Sequence, residues 1–207
     1  MRRPIEMAVL LSGSGRSLQN MLDRIAAGRL DAKVSVVVSS REDAYGLTRA
    51  QAAGIPTVVI NPRRYGNFIK MSHAIETALA EYPVDLIALA GFMCFFRIPE
   101  RAVGKVMNIH PALIPAFCGK GYYGHFVHEQ VLAHGCKISG CTVHFADNEY
   151  DHGPIISQHA VPVLDDDTAD TLAARVFAAE CEAYPAAIQL FAEGRLKIEG
   201  RKVRILK

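Results

Sequence analysis

Short apolar runs alternate with amphipathic segments along the first half of the chain. The apolar runs cover residues 6–12, 34–40, 56–60 and 85–91, and they predict strands that are buried on both faces. Segments 18–28, 43–53 and 68–81 carry apolar residues at helical spacing. Because strands alternate with helices of this length, we expect βαβ units and an α/β protein with a mostly parallel central sheet.

The alternation of predicted strands and helices is less regular after residue 91. The predicted elements are a helix over 125–134, strands over 140–145 and 155–163, a helix over 168–193 that is interrupted at Pro185, and a hairpin over 196–206 that turns at 199–200. The sequence contains no repeat, low-complexity segment or linker. We therefore expect a single domain over residues 1–207.

Composition narrows the class of protein. Half of the residues are hydrophobic and the net charge is +2, without a long basic run, so a large core is expected and nucleic acid is not. No apolar run reaches the roughly 18 residues of a membrane span, and residues 1–4 lead into a strand rather than a signal peptide. The five cysteines lack CxxC spacing, which indicates reduced thiols. We expect a cytoplasmic protein with no membrane partner.

Two polar residues close an apolar stretch that begins at Val106. Asn108 and His110 are two residues apart, so they share one face of an extended segment. The strand over 140–145 leads into a polar turn that carries Asp151. An amide, an imidazole and a carboxylate at one sheet edge form a candidate active site. The alternative is a capping Asn, a half-buried His and a turn Asp, and the combination of all three favours the active site.

A glycine-rich turn follows the first predicted strand. It consists of Gly13, Ser14, Gly15, Arg16 and Ser17. Backbone N–H groups at the start of a helix attract anions, and glycine lets a ligand approach the backbone. The turn is neither a Walker loop nor a full GxGxxG, because Leu18 stands in place of the third glycine. It predicts a site for a single phosphate, assisted by Arg16 and Ser17, and the alternative is a tight turn that needs glycine for its conformation.

Metal and nucleophile sites are two further alternatives. His125 and His128 are three apart on a predicted helix, with further cysteines and histidines at positions 118, 136, 141, 144, 152 and 159. No pair matches a zinc-ligand spacing such as CxxC or HExxH, so we expect no metal. A Cys–His hydrolase would use Cys118 or Cys141 as its nucleophile. Cys141 lies between apolar residues, where a cysteine is usually a small buried hydrophobe.

Five short motifs stand in order along the chain. They are Gly13-Ser14-Gly15 with Ser17-Leu18-Gln19, Ala90-Gly91-Phe92-Met93, Asn108-Ile109-His110-Pro111, Gly140-Cys141-Thr142-Val143-His144-Phe145, and Asp151-His152-Gly153-Pro154-Ile155-Ile156. Together they resemble the folate-dependent formyltransferase family, in particular its glycinamide ribonucleotide branch. The resemblance covers nearly the whole chain. It implies a Rossmann-like three-layer fold, with a phosphate-binding half over 1–105 and a catalytic and folate-binding half over 106–207.

The resemblance also implies an activity and a set of site residues. The activity is transfer of the formyl group of 10-formyltetrahydrofolate, a co-substrate, to the amine of 5-phosphoribosylglycinamide in purine synthesis, without a metal. A homodimer is one possible assembly. Asn108, His110 and Asp151 would be catalytic, with Asp151 favouring the imidazolium of His110. The glycine turn and Glu180 would bind the ribonucleotide, and the folate pocket would consist of Phe92, Met93, Cys94, Asn108, Asn148, Glu149, Tyr150 and Asp151.

The chain departs from the family pattern at a few positions. Cys94 stands where many members have an arginine, and Phe177 replaces a polar residue near Glu180. The glycine-rich segment 119–126 is longer than in familiar members and is a candidate lid. A second phosphate contact could come from Arg63, Arg64 or Lys70. The departures at Cys94 and Phe177 leave open a formyltransferase for another amine, such as an amino sugar nucleotide. A protein that binds nucleotide or folate without turnover is a separate alternative, which the complete set of Asn108, His110 and Asp151 disfavours.

Overall fold

A computed structural model describes residues 3–207 of the chain. The prediction that residues 1–4 lead into a strand includes Met1 and Arg2, which lie outside the described residues. The chain forms two compact units, one up to Met107 and one from Asn108 onward. Within residues 3–207, no helix combines the length and the apolar character that a bilayer span requires. The predicted assignment of phosphate binding and catalysis to separate halves stays a prediction.

The first unit is a parallel sheet with its crossover helices. Its regular elements are β1 (Ile5–Leu11), α1 (Arg16–Ala26), β2 (Ala32–Ser39), α2 (Tyr45–Ala52), β3 (Thr57–Val59), α3 (Phe68–Leu79) and β4 (Leu86–Leu89). The strands lie in the order β3-β2-β1-β4, and each neighbouring pair is parallel. The central strand β1 is apolar from Met7 to Leu11 and fully buried there, as a strand covered on both faces must be.

The strand β5 (Val106–His110) extends from the end of the first unit into the second. The second unit continues with α4 (His125–Ala133), β6 (Ile138–Phe145), β7 (Ile155–Pro162), α5 (Ala169–Ala192), β8 (Leu196–Glu199) and β9 (Lys202–Ile205). Strand β6 is antiparallel to β7, β7 is parallel to β9, and β8 and β9 form an antiparallel hairpin. These strands and helices confirm the predicted α/β fold and the carboxyl-terminal hairpin.

The predicted interruption at Pro185 is wrong, because α5 runs unbroken from Ala169 to Ala192. A proline inside a helix removes one backbone hydrogen bond and costs about 3 kcal/mol. Tyr184, Pro185 and Ile188 are all buried. Burial of this apolar face stabilises the helix on both sides of the proline and offsets the local cost.

Candidate active site

The second unit brings Asn108, His110 and Asp151 together. Asn108 and His110 lie at the carboxyl end of β5, and Asp151 lies in the loop that joins β6 to β7. The Asp151 carboxylate oxygen Oδ2 is 3.5 Å from Nδ1 of His110, and Oδ1 accepts a hydrogen bond from Nδ2 of Asn108 at 3.3 Å. His110 is almost fully buried and the Asp151 side chain is 11% exposed. The site therefore holds an amide donor, an imidazole and a carboxylate largely shielded from solvent.

The ring of His110 has a defined orientation. Its Nε2 donates to the backbone carbonyl of Phe117 at 2.9 Å, because a carbonyl oxygen can only accept. Phe117 has a φ of 49°, in the left-handed region, and this backbone conformation directs the carbonyl toward the ring. The orientation leaves Nδ1 facing Asp151.

Burial and the charge of Asp151 have opposite effects on the protonation of His110. Burial lowers the pKa of His110, while the charge of Asp151 and the carbonyl of Phe117 act in the opposite direction. Burial outweighs them because removing an imidazolium from water is unfavourable. Burial thus favours the neutral ring, and the contact with Phe117 places its proton on Nε2 and leaves a lone pair on Nδ1.

His144 is a member of the site that the sequence interpretation missed. Nδ2 of Asn108 donates to Nε2 of His144 at 3.1 Å, and Nδ1 of His144 donates to the carbonyl of Phe145 at 2.9 Å. These contacts place a proton on Nδ1 of His144, and the side chain is 1% exposed. The available signal was the alternation along β6, where Thr142 and His144 place polar groups on one face of an otherwise apolar strand.

Asp151 is held as an ionised acceptor. Its Oδ2 accepts from the backbone N–H of Gly119 at 2.9 Å. Burial by itself would raise the pKa of Asp151. The polar contact of His144, whose Nε2 is 3.7 Å from Oδ1, the positive charge of His110 in its protonated form and the N–H of Gly119 together lower it. The contact with Gly119 also ties the first residue of the glycine-rich segment 119–126 to the site. Asn148, Glu149 and Tyr150, which precede Asp151, are exposed.

The glycine turn lies in the first unit, between β1 and α1. Gly15 has a φ of 70°, and a Cβ there would lie 2.5 Å from Cα of Gly46, so close packing against α2 explains this glycine. The N–H of Gly46 donates to the carbonyl of Gly13 at 3.0 Å, and Nε of Arg49 donates to the carbonyl of Ser14 at 2.9 Å. The tight-turn interpretation therefore accounts for Gly15, independently of any phosphate.

The start of α1 retains a feature of an anion site. In the described chain, no side chain caps this helix, which begins at Arg16. The first backbone N–H groups of a helix lack intrahelical partners, and the helix dipole makes this end attractive to an anion. Arg16 is exposed and Ser17 is half-buried next to these groups.

The predicted folate-side segment follows β4 in the first unit. The N–H of Met93 donates to Oγ of Ser12 at 2.9 Å, and Ser12 in turn bonds to Ser40. Met93 is 56% exposed, Phe92 and Cys94 are half-buried, and Phe96 is part of the core. Burial raises the pKa of the Cys94 thiol. The segment therefore combines an exposed apolar surface with a core contact.

Glu180 lies half-buried on α5. Its negative charge adds to burial in raising the pKa of the Cys141 thiol and of the Tyr184 hydroxyl. Glu180 thus lies close enough to β6 to affect a buried group there. Phe177, one helical turn earlier, is also half-buried.

The thiols lack the character of a hydrolase nucleophile. Burial, followed by the charge of Glu180, raises the pKa of Cys141 to about 12, and the residue is fully buried. Burial and then the charge of Asp151 raise the pKa of Cys118. Because the thiolate is the nucleophile, the structure does not favour the Cys–His interpretation.

The two histidines considered as metal ligands, His125 and His128, differ in their solvent exposure. His125 is exposed and bonded to Glu129 and Asp170, while His128 is buried. Among residues 3–207, no three His, Cys, Asp or Glu side chains form a cluster that could hold a metal.

Comparisons of sequence and of structure both find formyltransferases similar to this chain. A sequence model described as formyl transferase matches residues 5–188. The human trifunctional purine biosynthetic protein adenosine-3 is 41% identical over 199 residues, which cover 95% of this chain and 19% of that protein. The chain thus spans about a fifth of the length of such trifunctional relatives.

Two shorter relatives match over most of their length. The phosphoribosylglycinamide formyltransferase of Haemophilus influenzae is 38% identical over 196 residues, covering 94% of this chain and 90% of that protein. The crystal structure of glycinamide ribonucleotide transformylase 1 from Symbiobacterium toebii is similar with a TM-score of 0.92 and 47% identity. The match covers 99% of this chain and 95% of that structure.

Proposed function

Because the chain belongs to the formyl transferase family, we propose that it transfers the formyl group of 10-formyltetrahydrofolate to the amine of 5-phosphoribosylglycinamide. The observation that carries this proposal is the convergence of Asn108, His110 and Asp151 within hydrogen-bonding or ion-pair distance. Transfer to an amine passes through a tetrahedral intermediate with an oxyanion. The three side chains can supply a donor for that oxygen and a path for one proton.

In the proposed mechanism, Asn108 stabilises the oxyanion. Its amide makes one contact of 3.1 Å to His144 and a longer one of 3.3 Å to Asp151. The oxyanion replaces the longer contact, while His144 keeps the amide in place. A donor that is oriented in advance toward developing charge lowers the barrier most effectively.

His110 and Asp151 move the proton in this mechanism. The attacking amine loses one proton and the leaving folate nitrogen gains one, so a single proton must cross the site. Asp151 accepts the proton, through water where needed, and shares it with the lone pair on Nδ1 of His110. The resulting imidazolium keeps Nε2–H on the Phe117 carbonyl and directs Nδ1–H toward the carboxylate. Its positive charge stabilises the oxyanion until the proton passes to the folate nitrogen. The amide and the imidazolium supply the positive electrostatics, so we assign no role to a metal.

We propose that the first unit binds the ribonucleotide phosphate through the uncapped start of α1, with Gly13, Ser14, Gly15, Arg16 and Ser17, and that Glu180 contacts the glycinamide end. The folate is proposed to contact Phe92, Met93, Cys94, Asn108, Asn148, Glu149, Tyr150 and Asp151. Met93 in the first unit and the turn before Asp151 in the second are each exposed and therefore accessible to a ligand. A cytoplasmic location is part of the proposal. The homodimer and the absence of a nucleic-acid partner stay predictions.

The test is a direct assay of the purified protein with both substrates, which follows tetrahydrofolate release with and without a chelator. Release that requires 5-phosphoribosylglycinamide and survives the chelator supports the proposal. If the folate donor binds but no release occurs, the proposal is wrong. An amino sugar nucleotide would then be the next acceptor to assay, because the apolar Phe177 near Glu180 alters the predicted substrate side.

A further inference from the structure

The loop that carries Asp151 has a demanding backbone conformation. Asp151 has a φ of 51°, in the left-handed region that residues other than glycine rarely adopt. Two residues later, a Cβ on Gly153 would lie 1.9 Å from the carbonyl oxygen of Phe145. The chain therefore passes close to β6 at this point. A conformation of this kind persists only where the surrounding structure holds it.

His152 directly follows Asp151 and makes polar contacts with Asp147 and Arg201. Its Nδ1 contacts Oδ2 of Asp147 at 2.7 Å, its Nε2 contacts Nη1 of Arg201, and its carbonyl accepts from Nη2 of Arg201 at 2.8 Å. A guanidinium can only donate, so Nε2 of His152 accepts and Nδ1 carries the proton. We call the contacts among Arg201, His152 and Asp147 the Arg201–His152 clamp.

Arg201 comes from a different part of the second unit. It follows Gly200 in the turn between β8 and β9. The adjacent Lys202 pairs with Ile155 at the start of β7, which is the strand that follows the catalytic loop. The hairpin is thus joined to the strand at the end of the loop, and the guanidinium reaches back to His152. The clamp connects the residue after Asp151 to the regular part of the sheet.

We infer that Arg201 and His152 are positioning residues for the proposed formyl transfer, on which this inference rests. They hold the backbone at residues 151–152 so that the Asp151 carboxylate stays between Asn108 and the N–H of Gly119. His152 is 45% exposed and Asp147 is 37% exposed, and exposed polar contacts contribute little to global stability. The clamp acts through the placement of one carboxylate, so its loss changes turnover more than the melting temperature.

The first test compares Arg201→Ala and Arg201→Lys with wild type. We expect Arg201→Ala to lower kcat by about tenfold, because small displacements of a reacting group have large effects on rate. The KM values and the melting temperature change little. Arg201→Lys recovers part of kcat, because one ammonium replaces a two-pronged guanidinium. The matched control is Arg204→Ala, which removes a cation of the same hairpin that pairs with Glu199 and leaves kcat at the wild-type value.

The second test asks whether Arg201 acts through Asp151. Arg201→Ala is introduced into Asp151→Asn, and the residual kcat is measured. If Arg201 positions this carboxylate, the substitution lowers the residual kcat by less than about twofold, since residues that act as a unit are not additive. An equal loss of kcat in both backgrounds, or a wild-type kcat in Arg201→Ala alone, would overturn the inference.

A third measurement does not depend on turnover. Amide hydrogen exchange over residues 147–153 should be faster in Arg201→Ala than in wild type, and unchanged in Arg204→Ala. Faster exchange in a protein whose wild type transfers no formyl group would support the clamp and refute the proposed function. Formyl transfer by the wild type, with unchanged exchange in Arg201→Ala, would refute the clamp and leave the proposed function in place.

Discussion

The amide nitrogen of Asn108 donates to Nε2 of His144 at 3.1 Å, and this contact fixes which way the amide points. His144 can accept there because its own proton, on Nδ1, is donated to the carbonyl of Phe145. The strand β6 thus determines the tautomer of one side chain, which in turn orients the donor at the end of β5. In the proposed reaction the same amide meets the oxyanion.

Removing the acceptor should therefore disorder the donor. We expect His144→Ala to lower kcat by roughly tenfold to a hundredfold, with smaller changes in KM, because a misplaced oxyanion donor loses most of its effect. His144→Gln keeps an acceptor oxygen and should retain more activity. Steady-state kinetics with both substrates checks this. If the two variants have the same kcat, the orientation of Asn108 by His144 is not what matters.

Asp151→Asn tests the proton path with little change in shape. We expect the variant to fold normally and to lower kcat by roughly a hundredfold or more, because an amide cannot take up the proton from the amine. Thermal unfolding and kcat are measured together. Asp165→Asn is the control, since Asp165 pairs with Lys137 on the surface. A near-normal kcat in Asp151→Asn would remove this residue from the mechanism.

His128 should make the protein sensitive to acid. The ring is 4% exposed, and among the described residues its Nδ1 has no hydrogen-bond partner. Burial, with smaller effects from the charges of His125 and His110, lowers its pKa from 6.5 to about 4. Between these two pH values the unfolded chain binds a proton that the folded chain does not. Stability therefore falls as the pH falls through this window, by about 3 kcal/mol for this group.

The measurement is denaturant unfolding of wild type and His128→Leu at pH 7, 5 and 4. We expect the loss of unfolding free energy between pH 7 and pH 4 to be smaller in the variant by about 3 kcal/mol. His125→Gln is the matched control, because the pKa of His125 is shifted in the opposite direction to that of His128. Glu129 and Asp170 raise the pKa of the exposed His125, so its contribution is present at low pH and lost as the pH rises. An identical pH dependence in wild type and His128→Leu would contradict this account.

A pair of glycine substitutions separates packing from phosphate binding. Gly15→Ala combines a positive φ with a Cβ 2.5 Å from Gly46, so we expect a loss of about 1–3 kcal/mol in unfolding free energy. Gly13→Ala meets no described atom within 4 Å and should leave stability within about 0.5 kcal/mol. If the turn binds the phosphate, Gly13→Ala still raises the KM for 5-phosphoribosylglycinamide. A wild-type KM would refute a backbone phosphate site at Gly13.

The α/β fold and its element order could be read from the chain, because the signals are local. The continuous apolar run at Met7 to Leu11 and the helical spacing after Arg16 each depend on neighbours within a few residues. Pro185 shows the limit of such signals. The local cost of a proline in a helix is real, but Tyr184 and Ile188 on either side of it are buried. That burial depends on packing partners distant in the chain, which the local sequence does not reveal.

The sequence by itself determined which chemical groups are present: an amide and an imidazole two residues apart, and a carboxylate in a later turn. The tertiary structure decided their state. The Phe117 carbonyl fixes the tautomer of His110, burial favours the neutral form of that ring, and His144 orients Asn108. These effects depend on distances of about 3 Å between residues far apart in the chain. Tautomer and pKa respond to local dielectric and hydrogen bonding, which exist only once the chain has folded.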